Sequence, residues 1–185
     1  FRFFMNEFNF YKLSGAGNDF VLFDLKENEN LSLNENLIRK ICDRRYGIGS
    51  DGIILIDDIP DYNFEMIYYN ADGSKGSMCG NGARCAIKYA DYSGRMHNAN
   101  AEFLCEKIKY SGKKLNDDVI KFNLQDPTDK IDNIRLEAGG FEMRAWFINT
   151  GSPHVVINVD DIVTGDSKIS FEELPILNLG RKIRC

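Results

Sequence analysis

The densest run of polar residues and glycine in the chain is Asn70-Ala71-Asp72-Gly73-Ser74-Lys75-Gly76-Ser77-Met78-Cys79-Gly80-Asn81-Gly82-Ala83-Arg84-Cys85. Cys79 stands immediately before Gly80-Asn81-Gly82, where an apolar helical pattern begins. A sulfur at a helix start lies near backbone N–H groups that lack partners within the helix. Those donors and the helix dipole favour thiolate over thiol. The glycines let backbone approach a ligand closely, and their N–H groups suit a carboxylate. One short segment thus offers a base and an anion site. The plainer reading of Cys79 is a small buried hydrophobe, the common state of a free cysteine. Cys85, inside the apolar helix, is read in that plainer way.

Two other segments hold groups capable of chemistry. Ser14 to Asp19 is a glycine-rich loop ending in Asn18-Asp19. It lacks the spacing and the following helix of a dinucleotide fingerprint, and taken alone it reads better as a tight β-turn than as a binding loop. Asn149-Thr150-Gly151-Ser152-Pro153-His154 is a polar loop that places an imidazole at a strand entrance. A lone histidine there is more often structural than catalytic.

The elements that must position these residues are mostly strands. Phe8 to Leu13, Phe20 to Asp24, Gly52 to Asp57 and Phe64 to Tyr69 have strand patterns. So do Glu102 to Tyr110, Val119 to Leu124, Phe141 to Ile148 and Val155 to Val159. A first helix is capped by Asn34 or Asn36, presents Leu37, Ile38, Ile41 and Cys42 on one face, and ends at Gly47. A second opens near Gly80 and runs to a Gly94 cap. Its residues from Ala83 to Ala90 are almost all apolar or small, as expected of a helix enclosed by sheet. Asp126-Pro127-Thr128-Asp129 reads as a linker. Residues 1–4 read as an extension ahead of Met5, 5–126 as a first domain, and 127–185 as the start of a second, incomplete one.

Composition narrows the function classes. The chain has 185 residues, 43 % hydrophobic and 28 % charged, with a net charge of −5. That balance is globular. It offers no basic patch for a nucleic-acid backbone and no apolar run of the ~18 residues a membrane span needs. The first residues do not read as a signal peptide. Five cysteines, Cys42, Cys79, Cys85, Cys105 and Cys185, form no CxxC pair. Reduced cytoplasmic thiols are expected, and a structural zinc site is not.

Taken in order, five strings resemble the motifs of the diaminopimelate epimerases, over about residues 9–184. They are Gly15-Ala16-Gly17-Asn18-Asp19-Phe20, residues 44–52 (Arg-Arg-Tyr-Gly-Ile-Gly-Ser-Asp-Gly), Asn70-Ala71-Asp72-Gly73-Ser74, Cys79-Gly80-Asn81-Gly82-Ala83-Arg84-Cys85 and Gly151-Ser152-Pro153-His154. The resemblance implies an α+β fold of two similar domains. Each is a mixed, mostly antiparallel sheet wrapped around a central helix, with the site in the cleft between them. It also implies cofactor-independent interconversion of LL- and meso-2,6-diaminopimelate, usually by a homodimer, in bacterial lysine and cell-wall precursor synthesis. Cys79 is then one of two thiols exchanging the α-proton. Gly80 and Asn81 bind the α-carboxylate and amino group, Asn18 and Asn70 other polar groups of the substrate, and His154 influences thiol ionisation. Ser152 stands where many relatives have Asn, and Gly52 where some have a substrate-touching Gln.

The family's second cysteine and a Glu-Arg pair that grips substrate are expected beyond Cys185. Cys185 itself is read as a bystander, following a segment that matches a strand. Three alternatives stay open. One is a same-fold epimerase or isomerase of another amino acid such as proline or hydroxyproline. Another is a non-catalytic fragment, and the third a cysteine hydrolase, disfavoured because no histidine pairs recognisably with Cys79.

Overall fold

The computed structural model describes residues 7–165 and 167–184. They fall into two compact units, Phe1–Leu124 and Gln125–Cys185.

The first unit begins with a hairpin. Strand β1 (Tyr11–Gly15) pairs antiparallel with β2 (Asn18–Asp24), Gly15 facing Asn18, so only Ala16 and Gly17 form the turn. Both have positive φ, 56° and 85°. A two-residue turn of that kind matches the right-handed twist of the flanking strands. The expected loop from Ser14 to Asp19 is therefore mostly strand, and β1 starts at Tyr11 rather than Phe8.

Helix α1 (Glu35–Cys42) follows, with the Asn34 side chain accepting the Leu37 N–H. It ends at Cys42, before Gly47, because the chain folds back so that the Gly47 N–H donates to the Asp43 carbonyl. Then come β3 (Gly52–Asp57), β4 (Phe64–Asn70) and α2 (Gly80–Tyr92). Gly94, at φ 75°, follows the end of α2 as expected. The segment expected as one strand from Glu102 to Tyr110 is a hairpin of β5 (Asn100–Cys105) and β6 (Ile108–Lys114). Its turn is Glu106-Lys107, both at positive φ, 52° and 65°. Neither is a residue that usually marks such a turn, which is why the break was invisible in the sequence. Strand β7 (Ile120–Asn123) completes a seven-stranded mixed sheet in chain order.

The sheet has two working faces because strand side chains alternate. Phe20 and Leu22 join Ile54, Met66, Ala83, Ile87 and Phe103 in the cluster around α2. Val21 and Phe23 join Ile38, Cys42, Ile53 and Leu55 in a second cluster under α1. Ala83, Ala86 and Ala90 are fully buried, so the strands close tightly on α2.

A buried ion pair ties α2 to the far end of β2. The Arg95 guanidinium donates to both Asp24 oxygens, at 2.7 and 2.9 Å, and the Tyr89 hydroxyl donates to Asp24 Oδ2 at 2.7 Å. Burial pushes the Asp24 carboxyl up, but the hydrogen bonds from Arg95 and Tyr89 outweigh it and leave it below its usual value.

The second unit contains β8 (Thr128–Ala138), β9 (Phe141–Asn149), β10 (Pro153–Ile157), β11 (Val163–Thr164) and β12 (Ser167–Lys168). Helix α3 (Ile176–Arg184) follows, and Met143, Ile162, Leu174 and Leu179 form the core. The sequence pattern did not show β8. Its register with β9 shifts twice, and Asp129 and Asn133 sit at positive φ, which breaks the alternation a strand would display. Thr128 and Asp129, read as linker, already belong to this strand. Residues 180–184, read as matching a strand, are helical. Cys185 lies outside the described residues.

Replacing Asp24 with Ala removes the buried partner of Arg95, whose side chain is 10 % exposed, and leaves it the half-exposed Asp58 at 2.8 Å. The expected destabilisation is about 3 kcal/mol, measured by urea unfolding at neutral pH. Because the folded carboxyl is lowered, its contribution is present above the unfolded value of about 3.9 and fades as pH falls through the lower folded value. The gap between wild type and variant should therefore narrow in acid.

Candidate active site

Cys79 is the N-cap of α2. Its backbone is extended, its carbonyl accepts the Ala83 N–H at 2.8 Å, and its sulfur accepts the Gly82 N–H at 3.5 Å. A second donor reaches the sulfur from the hairpin, the Asn18 side-chain amide at 3.9 Å. Two hydrogen-bond donors thus converge on a half-buried thiol at the positive end of a helix dipole.

The close approach of hairpin and helix depends on Gly15. A Cβ there would stand 2.7 Å from the Asn81 carbonyl oxygen and 3.3 Å from Cys85 Sγ. Only glycine lets β1 lie against the first turn of α2 and bring Asn18 over Cys79. Asn81 is half-buried, with its side-chain oxygen accepting from Arg84 one turn later. Gly80 is half-buried and nothing crowds it, the Phe122 ring being 3.8 Å from a notional Cβ.

Asn70 ends β4, opposite Gly52, which itself pairs with Phe20 of β2, so it lies at the same end of the sheet as Asn18. Its amide donates to Ser74 Oγ at 3.0 Å within the turn 70–74, not to the sulfur. Gly52 sits beneath Tyr68. A Cβ there would meet the Tyr69 carbonyl at 2.5 Å and the Tyr68 ring at 2.7 Å. The Tyr68 ring also packs edge-on against Phe20, and burial pushes its hydroxyl up to about 12.

Ser152 and His154 belong to the second unit, at the β9–β10 turn. His154 Nδ1 lies 2.6 Å from the Ser152 carbonyl oxygen, which orients the ring, and the ring is exposed. Cys79, Asn18, Gly80 and Asn81 are thus gathered within the first unit. Asn70 ends its strand at the same end of that sheet, and Ser152 and His154 are paired within the second unit.

The sequence reading assigned no role to the charged residues behind the hairpin. Asp19 is gripped by Lys12 Nζ at 2.7 Å and by Arg44 Nη2 at 2.7 Å, and Arg44 Nη2 also reaches Asp51 at 2.8 Å. The Arg44 and Lys12 hydrogen bonds hold the Asp19 carboxyl well below the usual carboxylate range. The parity of β2 was the available signal, since neighbours of a residue facing one side must face the other. Among the described residues no three His, Cys, Asp or Glu side chains are grouped to hold a metal, and no helix is long and apolar enough to cross a membrane.

Residues 10–128 match the sequence profile of diaminopimelate epimerase. The chain belongs to the diaminopimelate epimerase family. It is 37 % identical over 189 residues to the diaminopimelate epimerase of Aquifex aeolicus, covering 95 % of this chain and 62 % of that protein. With the Flavobacterium psychrophilum enzyme the identity is 34 %, over 94 % of this chain and 60 % of that one. The chain spans about three-fifths of the length of these curated relatives.

Solved structures share the fold of this family member. A PhzF-family phenazine biosynthesis protein of Bacillus anthracis superposes with a TM-score of 0.55 at 15 % identity, over 86 % of this chain and 59 % of that chain. A probable proline racemase of Agrobacterium radiobacter K84 does so with 0.58 at 11 % identity, over 81 % and 51 %. The fold is α+β, as the motifs implied.

Thiol chemistry separates the cysteines. Cys42, Cys85 and Cys105 are buried, and burial pushes all three up, Cys85 and Cys105 to about 11. Cys79 alone of these four has both exposure and facing donors. At limiting iodoacetamide near neutral pH, mass spectrometry should find Cys79 modified at least about tenfold faster than the other three. Earlier modification of Cys42 or Cys105 in the folded chain would refute this ranking.

Proposed function

We propose that this chain supplies one side of the active site of a diaminopimelate epimerase, interconverting the LL and meso isomers. The observation that carries the reading is the placement of Cys79 at the start of the central helix, half-buried, with the Asn18 amide and the Gly82 N–H on its sulfur. An amino-acid α-proton is a very weak acid. A base must therefore be held about 3 Å from the α-carbon in a site that excludes water and pre-orients donors. The Cys79 thiolate takes the α-proton. The substrate carboxylate, where negative charge accumulates, lies against the N–H groups of Gly80 and Asn81 at the helix start. Asn18 and Asn70 hold further polar groups of the substrate.

Inversion requires a second acid on the opposite face of the α-carbon. A thiol paired with a thiolate, with the roles exchanged in the reverse direction, supplies it without a cofactor. In this reading the second thiol and a Glu-Arg grip lie in the part of the relatives' length that this chain does not span. The family resemblance gives Ser152 a substrate contact and His154 an influence on thiol ionisation. The setting is the cytoplasm, where thiols stay reduced, and the complete enzyme is a homodimer serving lysine and cell-wall precursor synthesis. The partner is a small amino acid, not nucleic acid or membrane.

The test uses a chain extended with the corresponding remainder of the Aquifex aeolicus relative. Cys79→Ala should lower epimerisation beyond the ~10²–10⁴-fold typical of a single acid–base group, because no water takes its place in a closed cleft. A variant keeping more than about a tenth of the rate would exclude the two-thiol role.

The 185-residue chain alone should not invert the LL isomer. Incubation in deuterated water, followed by optical rotation and α-deuterium incorporation, checks this. Sustained inversion would place a second acid within these residues.

A further inference from the structure

Asn18 and Asp19 are neighbours on β2 whose side chains leave the strand on opposite faces. Asn18 points to the α2 side, its amide 3.9 Å from the Cys79 sulfur. Asp19 points to the α1 side, into a cluster drawn from three parts of the chain. Arg44 donates to both Asp19 oxygens, at 2.7 and 3.3 Å, and to Asp51 at 2.8 Å. Lys12 adds an ion pair from β1 and a bond to the Gly49 carbonyl. The backbones are locked as well, with the Asp19 N–H on Asp51 Oδ2 at 3.1 Å and the Asp51 N–H on the Asp19 carbonyl at 2.9 Å.

For stability this cluster is a poor investment of charge. The Arg44 side chain is 60 % exposed and that of Asp51 45 %, and ion pairs so exposed add little to stability. What the cluster does fix is geometry. It immobilises the residue next to Asn18, in the hairpin that must lie against the start of α2. A planar guanidinium bridging two carboxylates defines position and angle together, which an ammonium does not.

We propose that Arg44 and Asp19 are positioning residues that set the placement of the Asn18 amide on the Cys79 sulfur, and so the reactivity of that thiol. The proposal rests on the reading of Cys79 as the reactive cysteine, but it needs no substrate to be tested.

The experiment measures iodoacetamide alkylation of Cys79 at fixed pH, by mass spectrometry, alongside thermal unfolding. Arg44→Gln and Asp19→Asn should each slow Cys79 roughly 3- to 10-fold, the range of coupling within one network. Tm should move by no more than about 3 °C for Arg44→Gln. Arg44→Lys should fall between wild type and Arg44→Gln, since one ammonium restores charge but not the two-carboxylate bridge. In an Asn18→Ala background, Arg44→Gln should have no further effect, because the group it acts through is gone.

A wild-type Cys79 rate in folded Arg44→Gln would overturn the proposal. So would equal slowing in the presence and absence of the Asn18 amide, or a large loss of Tm in both Arg44→Gln and Arg44→Lys, which would make the cluster structural. If instead Cys79 in the wild-type chain reacts no faster than the buried cysteines, the reading of Cys79 itself fails. If Cys79 is fast and sensitive to Asn18 but indifferent to Arg44, the positioning role alone fails.

Discussion

The β1–β2 hairpin touches the first turn of α2 through a gap that admits a hydrogen atom at residue 15 and nothing larger. That contact sets the distance between Asn18 and Cys79, and with it the polarity around the sulfur. Had β1 been held off by a methyl group, the helix start would face an open slot instead of a side-chain amide. The two-residue turn serves the same end, because it lets both strands run to the helix without a flexible tip.

The helix is tied to the β1–β2 hairpin near both of its ends. At the start the link is soft, an amide on a sulfur and a glycine against a carbonyl. Near the end it is hard, with the Asp24 carboxylate held by Tyr89 and Arg95 in the interior. Between them, fully buried alanines on α2 let the strands approach it closely. Rigidity at the buried end and accessibility at the other suit a site where a reactive group must hold still and still meet a ligand.

Much of this was legible in the residues. The run of small and apolar positions after Gly82 identified α2 as enclosed, and Cys79-Gly80-Asn81-Gly82 marked where it starts. Strand breaks were read less well. Glu106-Lys107 turns without glycine or asparagine, and β8 hides its alternation behind bulges at Asp129 and Asn133. The cluster around Asp19 was invisible for a different reason. Its members come from β1, β2 and the segment after α1, and only folding brings Lys12 and Arg44 to the Asp19 carboxylate and Asp51 to the same guanidinium. Local pattern reports which face a residue takes, not which distant residues meet it there.

The alternation along β2 also limits how this segment can change length over evolutionary time. Phe20 and Leu22 are anchored against α2, and Val21 and Phe23 against α1. Loss or gain of one residue between Asn18 and Phe20 would leave that packing in place and rotate everything upstream by half a repeat. The amide would then be delivered to the arginine side of the sheet and its neighbour to the sulfur. Insertions and deletions here are therefore expected to come in pairs, while single ones should be absent from functioning relatives.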